Sequence, residues 1–412
     1  MVPQTDPDFV VDHFPAASRS LRIAVVTETF PPEVNGVAVT VARVVDGLQA
    51  RNHDVQLVRP RQATDGVTAP HTGLHEVLMR GLPIPRYPHL RMGVPSKRAL
   101  VRLWSMHRPD VVHVATEGPL GWSALQAALH LHLPVSSDFR TNFHAYSRHY
   151  GIGWLRKPIM SYLRRFHNAT GCTMVPTEPL RLELQRCGFR RLVVVARGVD
   201  TRLYTPARRS PALRAHWGAA DDDLVVTCVG RLAAEKNLGL VVQAFDAIRR
   251  VRPATRLVLV GDGPLRQELR ARCPDAILAG QRHGEELARC YASADLFLFA
   301  SLTETYGNVV NEALASGLAV VAFDCAAAAQ TIRQGESGLL APVGDESAFV
   351  DAARRLACDE ERRRSIATEA RQVALGLSWE HVVARFEEVL HDVTRRAAVM
   401  PSAAIHAPPT VA

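Results

Sequence analysis

The stretch 295-DLFLFASLTETYGNVVNEALASGLAVVAF-323 decides how the chain is read. Residues 296–299 form a short apolar run without alternation, as a strand buried on both faces requires. A polar turn over 303–308 follows, with Gly307 inside it. Asn308 suits a helix start, Val309, Val310, Ala313 and Leu314 fall on one helical face, and Gly317 marks the stop. Residues 318–323 are a second buried strand. Strand, loop, helix, strand predicts a parallel α/β unit, and such sheets bind ligands beyond the carboxyl ends of their strands. The amides of Asn308, Val309 and Val310 would face an anion there. Glu304 in the loop and Glu312, about one turn into the helix, would each accept hydrogen bonds from hydroxyls. Two diol acceptors flanking an anion site suggest a sugar, a phosphate and a ribose.

Working outward, 412 residues with 47% hydrophobic content suffice for two domains. No apolar run approaches the roughly 18–20 residues that span a bilayer. Asp6, Asp8 and Asp12 stand where a secretory signal would be basic and then apolar, so none is expected. Seven scattered cysteines without a C-x-x-C pair predict reduced, mostly buried thiols of a cytoplasmic protein. The net charge of +8 is uneven: residues 1–197 hold 24 Lys and Arg against 14 Asp and Glu, the remainder 25 against 27. A basic half suits an anionic lipid surface, and no nucleic-acid partner is expected.

Residues 1–20 lack periodicity and are expected to be disordered. A strand over 21–26 runs into a loop ending at Gly36, and a helix follows from about 37 to 50. Gly36 would let backbone approach a ligand, although the absence of G-x-G-x-x-G argues against a dinucleotide site. A strand over 54–58 continues the alternation, and 60–98, rich in Gly, Pro and Arg, is expected to be a long, partly mobile loop. Strands over 111–114 and 134–137 follow, the second delivering a polar loop with Arg140, Asn142 and His144. In 153-GWLRKPIMSYLRRFH-167, Trp154 and other apolar residues alternate with Arg156, Lys157, Arg164 and Arg165. This basic amphipathic segment fits a membrane interface or a core-facing helix with a solvated rim.

Strands over 172–175 and 192–195 complete a first domain, 21–197. A Gly-, Asp- and Pro-containing linker, 198–206, separates it from a second, 207–377. That domain opens with a strand over 224–229 and 230-GRLAAEKN-237, where Arg231 and Lys236 flank a turn led by Gly230 and could neutralise a diphosphate. Gln281 and Arg282, after a strand over 276–279, could frame a nucleobase. Asp221–Asp223 reads as a turn before a strand, and no metal constellation is found. Helices are predicted over 346–358 and 360–375. A last amphipathic helix spans 378–397, and 398–412 is expected to be a disordered tail.

The segment Glu304-Thr-Tyr-Gly-Asn-Val-Val-Asn-Glu312-Ala resembles the E-x7-E signature of retaining glycosyltransferases of family 4. Residues 230–237 resemble that family's GRxxxxKN, and 31-PPEVNGV-37 its opening PPxxNGV loop. The resemblance covers roughly residues 21–398 and implies the GT-B fold. That fold is α/β, with two Rossmann-like domains whose parallel sheets face a cleft and a C-terminal helix that crosses back to the first domain. It implies metal-independent transfer of a hexosyl group from a nucleotide sugar, with no cofactor. Glu304, Arg231 and Lys236 would carry catalysis. Gly36, Gly230, Gln281, Arg282, Tyr306, Gly307, Asn308, Val309, Val310 and Glu312 would bind the donor. Arg140, Asn142 and His144 would face the acceptor, Arg140 standing where the family usually has His.

The loop after residue 138 and the alanines after Asp324 are most similar to the mannosyltransferase and sulfolipid-synthase-like branch. This makes GDP-mannose the expected donor, with UDP-glucose or UDP-glucuronate as alternatives. The expected acceptor is a lipid or glycolipid, and the expected location is cytoplasmic, peripheral on the inner face of the cell membrane. Trp154, Arg156, Lys157, Arg164 and Arg165 would contact that membrane. A nucleotide-sugar epimerase and a non-catalytic sugar-nucleotide sensor stay open as other classes.

Overall fold

Thirteen short, mostly apolar segments form two parallel sheets, and the longer amphipathic segments cover them on both faces. The structure is a computed structural model that describes residues 20–33, 36–62, 65, 74–84, 87–140, 156–301, 304 and 306–399. The first domain contributes β1 (Arg22–Val26), β2 (Asp54–Pro60), β3 (His75–Met79), β4 (Gly81–Ile84), β5 (Tyr87–Gly93), β6 (Val111–Val114), β7 (Val135–Asp138), β8 (Cys172–Val175) and β9 (Leu192–Val194). Its helices are α1 (Gly36–Ala50), α2 (Lys97–Met106), α3 (Pro119–His130), α4 (Arg156–Asn168) and α5 (Glu178–Arg186). Seven strands form one sheet in the order β3-β2-β1-β6-β7-β8-β9, every neighbour parallel.

The second domain holds β10 (Val225–Val229), β11 (Arg256–Val260), β12 (Ile277–Gly280), β13 (Leu296–Phe299), β14 (Ala319–Phe323) and β15 (Leu339–Ala341). They run in the order β12-β11-β10-β13-β14-β15, again all parallel. Its helices are α6 (Pro211–His216), α7 (Leu238–Val251), α8 (Arg266–Arg272), α9 (Gly284–Ala292), α10 (Asn308–Ala315), α11 (Ala326–Thr331), α12 (Glu346–Cys358) and α13 (Glu360–Leu375). The chain ends its described part in α14 (Trp379–Val399). This is the α/β architecture of two doubly wound domains that the motifs imply.

One expectation is overturned. Residues 60–98 are not simply a loop: β3 joins the sheet edge beside β2, and β4 and β5 pair antiparallel, Gly81 opposite Gly93. Proline and arginine are tolerated here because an edge strand and a surface hairpin leave one side of each backbone in water. Asp221–Asp223 is a turn, as expected, with the Asp223 carboxylate accepting the Ala220 amide at 2.9 Å. Four cysteines are buried, Cys325 is half-buried, and Cys187 and Cys358 are exposed.

Helix α14 crosses back to the first domain. Val383, Phe386, Val389, Leu390 and Val393 share a core with Ile23, Val25, Val41 and Val44. Each such side chain contributes about 1.5–3 kcal/mol when fully buried, so this apolar face holds the helix down. The two chain crossings lie side by side. The Val199 amide donates to the Leu377 carbonyl at 2.9 Å, and Val199 bridges Ser378. A Cβ on Gly198 would stand 2.6 Å from the Trp379 ring. Arg371 clasps the linker from α13, donating to the carbonyls of Tyr204 (2.8 Å) and Thr201 (3.0 Å).

A polar cluster sets the register of α14. Glu387 accepts from Arg51 Nε (2.5 Å) and His53 Nε2 (3.1 Å), and His391 Nε2 lies 3.7 Å away. These three residues, His53, Glu387 and His391, have metal-ligand spacing. However, His53 Nδ1 accepts the Leu21 amide at 3.0 Å, which leaves the proton of the neutral ring on Nε2, donated to Glu387. The cluster is therefore read as a hydrogen-bonded clamp.

Burial opposes ionisation of Glu387, but the hydrogen bonds from Arg51 and His53 outweigh it and hold the carboxyl below its ordinary range. A lowered acid stabilises the fold above its unfolded pKa, and that stability is lost as pH falls through the folded value. Glu387→Gln is expected to cost about 1–3 kcal/mol at pH 7. Thermal melts should show the gap to the parent closing as pH falls below about 4.

Candidate functional site

In the second sheet the winding reverses between β10 and β13, so the loops after these strands part and leave a crevice. The loop after β10 is pressed flat against its neighbour: a Cβ on Gly261 would stand 1.9 Å from the Gly230 carbonyl. It then returns Lys236, whose Nζ forms an ion pair with Glu304 Oε1 from the other loop. Both side chains are largely buried, and Nζ lies 5.9 Å from the Phe299 ring centre. Gly307 adopts φ 90°, the left-handed conformation that suits glycine, and turns the chain into α10. The Val310 amide donates to the Gly307 carbonyl at 3.0 Å, so this expected anion donor is engaged. Among the described residues the amides of Asn308 and Val309 have no acceptor, and Asn308 Oδ1 is enclosed without a partner.

Glu312 lies one turn deeper. Tyr291 Oη donates to its Oε2 at 2.9 Å, and Tyr204 stacks edge-on against Tyr291 with centroids 5.7 Å apart. Burial pushes the Glu312 carboxyl up to about 7, although hydrogen bonds from Tyr291 and Tyr204 work against the rise. No local motif signals this pair of phenols, since nothing in a linear reading joins residues 204, 291 and 312.

The opposite wall belongs to the first domain. Arg140 Nε donates to Asp138 Oδ2 at 2.8 Å, and His113 Nε2 lies 3.3 Å from the same oxygen. Burial would raise Asp138, but the charges of Arg140 and His113 hold it down at about 2. Arg140 is thus a neutralised cation. Asn142, His144 and Trp154 lie outside the described residues, as does the side chain of Arg156. In the first sheet's own crevice, between β1 and β6, Glu28 accepts the amides of Gly93 (2.5 Å) and Leu120 (2.8 Å).

Between the walls stands Arg197, which the sequence reading assigned only to the domain boundary. Its Nη1 is 3.6 Å from where a Cβ of Gly36 would stand, and its Cζ is 5.4 Å from the Tyr306 ring centre. Tyr306 itself is buried. Its hydroxyl donates to the Arg197 carbonyl at 3.3 Å and accepts from Asn311 Nδ2 at 2.9 Å.

Other candidates are more peripheral. Arg231 is exposed, 3.8 Å from Glu235. Gln281 and Arg282 are exposed beyond the edge strand β12, Arg282 Nε donating to the Ala279 carbonyl at 3.0 Å. Helix α4 buries Leu163 and Phe166 and exposes Lys157, Ile159, Tyr162, Arg164 and Arg165. Two of these cations are engaged: Arg164 donates to the Cys187 carbonyl at 3.3 Å, and Arg165 lies 5.9 Å over the Trp122 ring. Among the described residues no helix is long and apolar enough to cross a membrane.

The raised Glu312 has a measurable signature. A carboxyl that is harder to ionise folded than unfolded lowers stability as pH rises from its ordinary value through about 7. Glu312→Gln, a mimic of the neutral acid, should therefore raise the melting temperature more at pH 8 than at pH 5. An equal shift at both pH values would contradict the burial argument.

Comparison with known proteins gives this arrangement a family. The sequence family described as Glycosyltransferase Family 4 matches residues 34–203, and that described as Glycosyl transferases group 1 matches residues 223–359. The GDP-mannose-dependent alpha-mannosyltransferase of Mycobacterium tuberculosis is 34% identical over 87% of this chain and 93% of its own length. The sulfoquinovosyl transferase of Arabidopsis thaliana is 29% identical over 88% of this chain and 72% of its own. In fold, the Anabaena protein HepE in complex with UDP superposes with a TM-score of 0.72 at 17% identity, covering 90% of this chain and all of that one. The chain belongs to glycosyltransferase family 4 and is a transferase-class enzyme of GT-B fold.

Proposed function

We propose that the enzyme moves mannose from GDP-mannose to a hydroxyl of a lipid or glycolipid, with retention and without a metal. The observation that carries this reading is the likeness, along nearly the whole chain, to a GDP-mannose-dependent mannosyltransferase. Glu304 and Lys236 neutralise each other within the protein. Donor entry exchanges that pair for two better-matched contacts, sugar hydroxyls on Glu304 and phosphate oxygens on Lys236. Negative charge then grows on the departing diphosphate, where Lys236, Arg231 and the amides of Asn308 and Val309 stabilise it more than the ground state. Glu312 receives the ribose hydroxyls beside Tyr291. Asp138, held near 2, is a poor base at neutral pH. The acceptor's proton passes instead to an oxygen of the leaving phosphate.

The exposed cations and apolar side chains of α4, Lys157, Ile159, Tyr162, Arg164 and Arg165, give the enzyme a face for the anionic inner surface of the cell membrane. A second reading is glycosyl transfer from a UDP-sugar to diacylglycerol, and the likeness to the sulfoquinovosyl transferase supports a transferred sugar other than mannose.

Incubating the enzyme with membrane lipids and GDP-mannose, UDP-glucose or UDP-glucuronate, followed by mass spectrometry, separates the two. A hexosyl lipid is expected from GDP-mannose, and product from a UDP-sugar alone would overturn the donor assignment. Glu304→Ala and Lys236→Ala should each lower turnover about 100-fold or more; near-normal rates would remove both from the mechanism. Replacing Lys157, Arg164 and Arg165 by Gln should weaken sedimentation with anionic vesicles at low salt, and unchanged sedimentation would exclude the α4 face.

A further inference from the structure

Arg59, Arg197, Arg214 and Arg363 are buried among the described residues. Arg59 is held by Asp65 and Glu76. Arg214 donates to Asp295 and to the carbonyls of Ser293, Ala220 and Asp223. Arg363 donates to the carbonyls of Leu356 and Ala357. Arg197 differs. It is 7% exposed, and although the Nε atoms of Arg59 and Arg214 are also enclosed without a partner, only Arg197 among these four has, among the described residues, no hydrogen-bond or ion-pair acceptor anywhere on its guanidinium. Burial and the nearby Arg140 lower its pKa to about 10, so it remains charged at neutral pH. A buried cation without an anion is strongly unfavourable, and the Tyr306 ring face offsets only part of that.

Its surroundings add to the positive potential. The guanidinium lies against Gly36, the first residue of α1, and against Tyr306, two residues before α10 begins. Helix N-termini carry partial positive charge, and here one comes from each domain. The other charged pairs of the cleft are internally neutral, Lys236 with Glu304 and Arg140 with Asp138. The Arg197 carbonyl is fixed by Tyr306 and Asn311, so the side chain is aimed from the hinge. We propose that Arg197 binds a phosphate of the nucleoside diphosphate co-substrate, closing the anion site from the hinge between the domains. This rests on the glycosyltransferase reading and adds to it a cation outside the Arg231–Lys236 loop.

The test is calorimetric titration of GDP and UDP into the full chain and into Arg197→Ala, Arg197→Lys and Lys236→Ala, with thermal melts of each. Arg197→Ala should weaken the tighter-binding diphosphate about 10- to 100-fold. Arg197→Lys should recover part of that, because lysine keeps the charge and loses the fork. Without nucleotide, Arg197→Ala should melt no lower than the parent, since the change removes an unpaired buried charge, and nucleotide should raise its melting temperature less. Binding within twofold of the parent would overturn the proposal. So would a melting temperature several degrees lower with an unchanged nucleotide shift, the sign of a purely structural residue. An effect confined to the acceptor's KM would also overturn it. If the parent binds neither nucleotide, the co-substrate reading fails as well; if binding is lost in Lys236→Ala and kept in Arg197→Ala, this proposal fails alone.

Discussion

A parallel sheet brings every strand's carboxyl end to one edge, and a reversal of winding is the place on that edge where neighbouring loops part. The rest of this molecule is arranged around that constraint between β10 and β13. The Gly230 and Gly261 backbones touch, so the loop after β10 cannot fill the gap it borders. Its Lys236 reaches into the crevice and there meets Glu304. The same reversal points the N-terminus of α10 into the opening. Cation, helix dipole and carboxylate are therefore brought together by one feature of the winding.

The first sheet has the same reversal, between β1 and β6, and treats it differently. There the chain supplies its own anion: Glu28 sits in the crevice and takes the amides of Gly93 and Leu120. Burial raises that carboxyl, and the backbone amides it receives offset only part of the rise. A side chain thus ties together the loop after β1, the hairpin strand β5 and the start of α3. Two domains of one architecture treat the same crevice differently, one closing it with internal glue and the other leaving it open.

Much of this was legible in the chain itself. The runs at 296–299 and 318–323 are apolar without alternation, and a strand covered on both faces has no other pattern; the first is a strand with those ends, and the second is a strand from Ala319. The helices at 346–358 and 360–375 show helical periodicity and begin behind Asp345 and Asp359, which cap them. The segment 60–98 misled because Gly, Pro and Arg suit an edge hairpin as well as a loop. Within the site, Lys236 and Glu304 could be named because each sits in a motif at a strand end. Arg197 and the two phenols beside Glu312, Tyr204 and Tyr291, could not. Their meaning is a distance between residues well separated along the chain, which no local period encodes. Arg140 was legible as a cation, but its neutralisation by Asp138 depends on which rotamer the fold admits.

The side-by-side crossings near Val199 and Ser378 bear on how the halves can move. Two covalent tethers that touch define a line, and the domains can swing about that line with little disturbance. A screw-like motion would have to shear the Val199–Leu377 hydrogen bond and drag Gly198 across the Trp379 ring. The cleft is thereby geared to open as a book does on its spine, keeping its two walls in register from one turnover to the next.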